Sequence, residues 1–357
     1  MYTKNLFNFL TEAAENIQSL KSYIAAELEK MQDEDVLAEI RSIILSHNMD
    51  PMAVQNYFEK RHLGGHCYKI ITSKFNSFGD VDALQTLIDN GGSDITSEDF
   101  LHASNKDFYA IFKDICKEKT IESLYELNLP NENNVARGKL EVLLCTLLKD
   151  IKEKGHGDVP TTMSGMIEVK GDNGMIKGQA AYDVGACMIK FSEVFPKASK
   201  EDDIFDGQKR LNAVMGELRS QDKYTEEEVL NGIIECYLAK YPLKSISDSD
   251  LSVIKTQFQQ YLSDNQNKIF NKLKVDSKII WDAFLVTDFK FYQLLDKWDN
   301  LVVFNKKGKY STFNAEKDIK TTYDAVLKNL KAEGISRSSS AVKNRDGRYQ
   351  AIKVAKK

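Results

Sequence analysis

One segment limits the folds open to this chain more than any other: residues 155–179, which read GHGDVPTTMSGMIEVKGDNGMIKGQ. Within it, the residues Met166–Lys170 alternate between apolar and charged side chains after the first position. Successive side chains of a β-strand point to opposite faces, so Ile167 and Val169 share one face while Glu168 and Lys170 share the other. We therefore expect a strand whose apolar face meets the core and whose opposite surface presents a carboxylate beside an ammonium.

Two further acids belong to the same region. Asp158 stands ten residues before Glu168, and Glu141 lies at the edge of a leucine stripe in residues 137–152, which have the spacing of an amphipathic helix. A carboxylate left unpaired beside that stripe would be costly, so we expect a metal or a lysine close to Glu141. Two acids beside a lysine can hold a hard divalent cation and steer a water, which suits phosphodiester hydrolysis.

The order of these elements resembles the PD-(D/E)XK superfamily of restriction-type nucleases. A helix with Glu141 comes first, Asp158 follows, and the strand with Glu168 and Lys170 precedes a glycine turn. The resemblance is closest to a phage-encoded style in which a GKxE-like segment precedes GD and IEVKG, and it covers roughly residues 135–185. It implies an α+β or α/β fold with a restriction-endonuclease-like core sheet flanked by helices.

The resemblance also implies an activity, a DNA nuclease that depends on Mg²⁺ or Mn²⁺. Asp158, Glu168 and the backbone carbonyl of Val169 would hold one metal ion, and Glu141 would hold a second, directly or through water. Lys170 would orient or deprotonate the attacking water and would stabilise negative charge on the phosphate. DNA is the implied partner.

Two departures from the family pattern and two alternative interpretations accompany this hypothesis. Gly157 stands where the family often has proline, and Pro160 lies inside the expected first strand, which must then be bent or at an edge. Glu168 and Lys170 would also suit an ordinary exposed ion pair on a solvated strand. Asp158 would also suit a turn.

Basic residues downstream of the motif are candidate DNA contacts. They are Lys177, Gln179, Lys306, Lys307 and Lys309. Residues 306–357 contain fourteen Lys and Arg against five Asp and Glu, a surplus of nine that leaves the rest of the chain at −13. A basic portion on an acidic body suits a phosphate-contacting surface. The alternatives are a lysine-rich solvated face, a solvated Lys177 and a backbone-capping Gln179.

Composition narrows the class and location of the protein. No run of eighteen or more apolar residues occurs, and the first residues lack a signal-peptide pattern, so we expect no membrane partner. We expect the protein to be located in the cytoplasm of a host cell, and the phage resemblance extends this to packaging in a virion.

The five cysteines are widely spaced and odd in number, which favours reduced thiols. A competing metal site, structural zinc, would need the cluster at His62, His66 and Cys67.

Periodicity divides the chain into a helical N-terminal region and a core. Residues 1–130 are predicted to be mostly helical, and residues 131–357 form the nuclease-like core with a helical insertion at about 200–280. The expected late strands are 300–305, 309–313 and 348–354. The long helical flanks also suit a second hypothesis: a viral structural or DNA-binding virion component built on a nuclease-like fold, with little or no activity.

Overall fold

The structure is a computed structural model that describes residues 49–63, 67–129, 138–155, 157–171, 175–176, 184–196, 198, 204–205, 207–337, 342–343 and 350–356. Within these ranges helices combine with a mixed β-sheet, which confirms the expected α+β class. Residues 1–48 of the predicted helical N-terminal region lie outside the described residues. No helix in the described ranges is long and apolar enough to cross a membrane.

The first half of the described chain is mainly helical. Its elements are α1 (Pro51–Glu59), α2 (Tyr68–Ser77), α3 (Val81–Asn90), α4 (Ser97–His102), α5 (Phe108–Phe112), α6 (Glu118–Tyr125), α7 (Glu141–Leu147), β1 (Val159–Pro160), β2 (Met166–Lys170) and β3 (Met175–Ile176). The start of α1 follows from the sequence, because Asp50 caps the helix by accepting from the backbone N–H of Met52, and Pro51 is favoured at the first helical position.

Longer helices and the remaining strands make up the second half. They are α8 (Val184–Val194), α9 (Gln208–Ser220), α10 (Glu226–Leu238), α11 (Asp248–Asp264), α12 (Gln266–Ile269), α13 (Lys278–Asp296), β4 (Asn300–Phe304), β5 (Tyr310–Asn314), α14 (Tyr323–Ala332), β6 (Ile335–Arg337), β7 (Val342–Lys343) and β8 (Gln350–Lys356). Helices α9 to α12 occupy the range of the predicted insertion.

The central sheet has the strand order β1-β2-β4-β5. Strand β2 pairs antiparallel with β1 and parallel with β4, so that Glu168 lies opposite Leu301 and Lys170 opposite Val303. Parallel pairing requires a long crossover, and the chain from residue 171 to residue 299 provides it. The strands predicted at residues 300–305 and 309–313 are therefore confirmed, and they complete the sheet that contains the motif strand.

Hydrophobic clusters cover both faces of this sheet. Helices α1 to α7 pack with Ile167, Val169 and Val302 in the first cluster. Helices α8 to α14 pack with Leu301 and Val303 in the second cluster. Alternating side chains explain this division, because neighbouring residues of a strand point to opposite faces. Residues before the predicted boundary at residue 130 thus share one cluster with the strand that carries the motif.

One sequence prediction about local structure is wrong, and one predicted strand pairs outside the central sheet. The helix predicted over residues 137–152 spans only Glu141–Leu147, because Leu148 turns extended and Ile151 pairs with Thr161. The strand predicted at residues 348–354 forms as Gln350–Lys356 but joins a second sheet, where β8 pairs with β3, β6 and β7. In both cases pairing with distant residues decided the outcome.

A buried ionic network holds α10 against α13. The Asp288 carboxylate is fully buried and accepts hydrogen bonds from Lys240, Tyr237 and Tyr241. The Lys240 amine lies 2.7 Å from Asp288 Oδ1 and 3.7 Å from the centroid of the Tyr237 ring. Every polar atom named here has a charged or aromatic partner, so the network meets the condition under which buried charges are tolerated.

Two helical glycines give a matched test of how closely α8 packs on α10. A methyl group on Gly232 in α10 would lie 2.2 Å from the Phe195 ring and 2.7 Å from Val194, whereas one on Gly216 in α9 would meet nothing within 4 Å. Alanine favours helix by about 0.5–1 kcal/mol over glycine. We expect Gly216→Ala to raise the free energy of unfolding by that amount and Gly232→Ala to lower it by about 1–3 kcal/mol through overpacking. Urea denaturation measures both, and equal effects would contradict the close packing of α8 on α10.

Candidate acid–lysine site

The candidate site lies where β1 begins beside β2. Val159 pairs with Ile167, which places the preceding residue, Asp158, beside Glu168. The backbone N–H of Val169 donates to Asp158 Oδ2 at 2.8 Å, so this side chain replaces a strand partner at the end of β1. The N–H and C=O groups of one strand residue point to the same side, so the Val169 carbonyl also points toward this end. As expected for a strand containing proline, β1 is a short strand at the sheet edge.

Lys170 joins the two acids of the motif. Its Nζ lies 2.5 Å from Glu168 Oε1 and 3.6 Å from Asp158 Oδ2. Glu168 and Lys170 share one strand face, as alternation predicts, and Asp158 reaches the same group from the neighbouring strand. The structure therefore brings these three residues together into one acid–lysine site.

This site is not on a solvated face, so the alternative interpretation of Glu168 and Lys170 as an ordinary exposed ion pair is wrong. Only 7% of Glu168 is exposed, because α13 crosses over this side of the sheet. The Tyr292 hydroxyl donates to Glu168 Oε1 at 2.5 Å, and the Lys170 amine lies 5.8 Å from the centroid of the Tyr292 ring. The side chains of Lys170 and Asp158 are 20% and 22% exposed, so solvent reaches the part of the site that these two residues form.

Sequence reasoning missed Tyr292. It lies in a helix whose residues from Ala283 to Tyr292 are all buried, so hydrophobic periodicity does not distinguish one face of α13 from another. The available signal was composition: a tyrosine buried among apolar residues requires a partner for its hydroxyl.

Burial and neighbouring charges set the protonation of the site. Burial, and then the Asp158 carboxylate, raise the pKa of Glu168 above its usual range, while Lys170 and Tyr292 oppose that change. Burial alone would lower the pKa of Lys170, but the carboxylates of Asp158, Glu168 and Glu141 together raise it. Lys170 is therefore an ammonium at neutral pH, which favours a charge-stabilising role over proton abstraction.

Glu141 influences the site electrostatically. It begins α7 and raises the pKa of Lys170 through space. Among the described residues, the His, Cys, Asp and Glu side chains form no group of three that could hold a metal ion. The role of Glu141 as a metal ligand stays a prediction.

The donor set of the site nevertheless fits Mg²⁺ or Mn²⁺. Mg²⁺ is commonly bound through one or two carboxylates, with water and substrate phosphate completing its shell. Asp158 and Glu168 provide two carboxylates whose mutual repulsion helps to raise the pKa of Glu168. A divalent cation would relieve that repulsion, and the Val169 carbonyl lies on the same side.

The predicted DNA contacts divide into three groups. Lys177 and Gln179 lie outside the described residues. Lys306 and Lys307 are exposed in the turn after β4. Because β2 and β4 run parallel, this turn lies at the same end of the strands as Lys170. Lys309 instead forms an ion pair with Asp107 at 2.8 Å.

The competing metal cluster and the thiols have separate outcomes. Residue 66 lies outside the described residues, so the zinc hypothesis for His62, His66 and Cys67 stays untested. All five cysteines are buried, and none of them forms a disulfide bond. Burial raises the pKa of Cys236 to about 12, so this thiol is not reactive near neutral pH.

Replacing Tyr292 with phenylalanine tests its control of Glu168. The hydroxyl favours the charged carboxylate, so Tyr292→Phe should raise the pKa of Glu168 further, observable by NMR titration of labelled Glu carboxyls. Because the pKa of Glu168 is higher in the folded protein than its usual value, the stability that this residue contributes is lost as the pH rises from about 4.5 through the folded-state pKa. Tyr292→Phe should extend the upper end of that pH range. Tyr310→Phe, which removes a buried hydroxyl bonded to the Phe100 carbonyl, is the control. An unchanged Glu168 titration in Tyr292→Phe would contradict the contact.

Comparison with known proteins adds no assignment: no protein-family model matches the chain, and no curated protein or solved structure matches it significantly.

Proposed function

We propose that this protein is a Mg²⁺-dependent deoxyribonuclease with a PD-(D/E)XK-type site on a restriction-endonuclease-like core. One observation carries the proposal: the Lys170 amine lies between two carboxylates, Asp158 and Glu168, on adjacent strands. The motif order, the parallel pairing of β2 with β4 and the two-carboxylate donor set support it.

Each residue has a distinct task in the proposed reaction. Asp158 and Glu168 would hold the metal ion together with the Val169 carbonyl, and Tyr292 fixes the orientation of Glu168 through its hydrogen bond. A bound Mg²⁺ supplies charge neutralisation at the phosphate and lowers the pKa of a water. Lys170, held in its charged form by the carboxylates around it, stabilises negative charge as it develops on the phosphate.

Cleavage of plasmid DNA tests the proposal. Purified protein should nick or linearise supercoiled plasmid when Mg²⁺ or Mn²⁺ is present, and EDTA should stop the reaction. Catalysis depends on positioning and charge, so Ca²⁺, whose coordination is longer and less regular, should support binding with little turnover. Absence of cleavage with both Mg²⁺ and Mn²⁺, in protein shown to be folded, would overturn the proposal.

A second candidate function rests on the closed ion-pair network of the same site. Lys170 satisfies both carboxylates internally, which is also how a purely structural network is stabilised. The protein would then be a viral structural or DNA-binding virion component, in the host cytoplasm or packaged in a virion. This candidate predicts DNA binding or assembly without metal-dependent cleavage, so the plasmid assay separates the two functions.

A further inference from the structure

A cavity of about 180 Å³ lies between α11, α13 and the π-helical turn Ala315–Ile319 that follows β5. None of the residues of the acid–lysine site lines it. A cavity of about 150 Å³ in another protein holds a benzene molecule. The size of this cavity therefore suits a small ligand of about six to eight non-hydrogen atoms.

Each of the two helices contributes one face to the cavity. The lining residues of α11 have the spacing i, i+3, i+4 and i+7 of a single helix face, and they are Asp250, Val253, Ile254 and Gln257. Those of α13 follow the same spacing, and they are Lys290, Gln293 and Leu294. Val253 is 55% exposed, so the cavity opens to solvent near the start of α11.

Lys290 brings a positive charge to the inner wall of the cavity. This residue is only 5% exposed, and its Nζ donates to the backbone carbonyls of Ile319 and Thr321 at 2.6 Å each. The Tyr323 ring gives a further weak contact, with its centroid 5.6 Å from Nζ. An ammonium has three N–H donors, so one donor of Lys290 remains after its two hydrogen bonds.

The charge of Lys290 has no counter-ion. Among the residues that the structure describes, no carboxylate lies within ion-pair distance of its amine, whereas Lys240, which is equally buried, lies 2.7 Å from Asp288. Burial lowers the pKa of Lys290 to about 8, and no neighbouring acid opposes that change. The side chain is still mostly an ammonium at neutral pH, so it lacks the pairing that stabilises a buried charge. A bound anion would provide that pairing.

Gln257 contributes a second polar group that lacks a partner. Its Oε1 atom is buried and accepts no hydrogen bond within the described part of the chain. An amide oxygen is an acceptor, so a ligand that satisfies it must carry an N–H or O–H donor. The remaining wall is apolar at Ile254, Leu294 and Ile319. The lining therefore matches a small anion that also carries a donor and a short apolar part.

The charges around the cavity favour a hydroxyl over an ammonium as that donor. Lys290 and Lys320 line the cavity against a single acid, Asp250, which leaves a net charge of one positive. Asp250 and Lys320 are both exposed, so the charge in the interior is that of Lys290. A second positive group on the ligand would be repelled there.

We propose that this cavity binds a small hydroxycarboxylate. The carboxylate accepts from the Lys290 ammonium, the hydroxyl donates to Gln257 Oε1, and the carbon chain packs against Ile254 and Leu294. This binding site is separate from the acid–lysine site and does not depend on the nuclease function proposed above.

Isothermal titration calorimetry with sodium lactate tests the proposal. We expect a dissociation constant of about 1 mM, because a ligand with about six non-hydrogen atoms makes limited contact. Propionate lacks the hydroxyl and should bind about three- to tenfold more weakly, and lactamide lacks the charge and should bind about ten- to a hundredfold more weakly. Sodium chloride at the same concentrations controls for ionic strength.

Two substitutions separate the two polar contacts. Lys290→Met keeps an apolar stem but removes the charge, so it should weaken lactate binding about ten- to a hundredfold. Gln257→Leu removes the acceptor, so lactate should then bind no better than propionate. The matched controls, Lys328→Met and Gln260→Leu, change exposed residues of α14 and α11 that do not line the cavity, and they should bind lactate as wild type does. Circular dichroism checks that each variant is folded.

The pH dependence of lactate binding tests the charge of Lys290 in the wild-type protein. Only the ammonium attracts the carboxylate, so affinity should fall about tenfold for each pH unit above the folded-state pKa of about 8. The other titratable side chains around Lys290 are Asp250, Lys320, Tyr323 and Asp288, which is paired with Lys240. Burial holds the pKa of Tyr323 well above its usual value, so this tyrosine stays neutral over the same pH range.

Three results would overturn the binding site. The first is wild-type protein that shows no saturable lactate binding below roughly 50 mM, with heats equal to those of sodium chloride, because the cavity would then hold only water. The second is equal affinity for lactate and lactamide. The third is wild-type affinity in folded Lys290→Met, or an equal loss in Lys328→Met. If Lys290→Met does not fold, a lactate affinity that is constant from about pH 7 to about pH 10 would overturn the site instead.

Discussion

Glu168→Gln is expected to lower Mg²⁺-dependent cleavage by more than about a hundredfold while the fold is retained. Changes to groups that merely support a metal ligand already cost about 10–100-fold, and loss of a ligand charge should cost more. The amide oxygen of glutamine still accepts from Tyr292 and Lys170, so neither buried donor is left unpaired. Alanine would leave both without this acceptor, which makes glutamine the sharper substitution.

Glu227→Gln is the matched control for this change, because Glu227 is exposed in the first turn of α10. Cleavage rates under single-turnover conditions, with circular dichroism as a check on folding, measure the effect. If purified Glu168→Gln protein cuts at the wild-type rate, the observed nuclease activity does not come from the acid–lysine site.

The largest expected loss of stability comes from a different place, Asp288→Leu in the buried ionic network. Removing this carboxylate leaves the Lys240 ammonium buried without its counter-ion, and breaking a buried pair in this way costs about 3–5 kcal/mol. Tyr237 and Tyr241 also lose their acceptor. The free energy of unfolding, measured by urea denaturation, should fall accordingly.

A double-mutant cycle isolates the pair itself. Lys240→Met/Asp288→Leu removes both charges, so it should be more stable than Asp288→Leu alone, with a coupling energy of about 2–3 kcal/mol. Additive effects of the two substitutions would show that the ion pair contributes no coupling and that the cost of Asp288→Leu arises from the tyrosines.

Local patterns predicted the parts of the fold that local physics decides. The alternation in Met166–Lys170 predicted both the strand and the shared face of Glu168 and Lys170. Asp50 and Pro51 determine the start of α1, because capping depends on adjacent residues. The apolar run in residues 300–305 predicted a strand that is buried on both faces.

Contacts between distant residues decided what the sequence did not predict. The leucine stripe of residues 137–152 suggested a long helix, but Lys149 donates its N–H to Ile95 and Ile151 pairs with Thr161, which ends the helix early. The burial of Glu168 depends on Tyr292, and no short-range pattern links a strand residue to one helix residue beyond the insertion. Periodicity describes one element at a time, whereas the site is built from elements that meet only in the folded chain.

The separation between Glu168 and Tyr292 has a consequence during synthesis. These two residues are 124 positions apart, and β4, which pairs with β2, follows Tyr292 in the chain. At about 5–20 residues per second, roughly 6–25 s pass between synthesis of the motif strand and synthesis of the residues that enclose it. During that interval a ribosome-bound chain carries the acidic motif without α13 or β4. The acid–lysine site can therefore be enclosed only after most of the polypeptide has been synthesised.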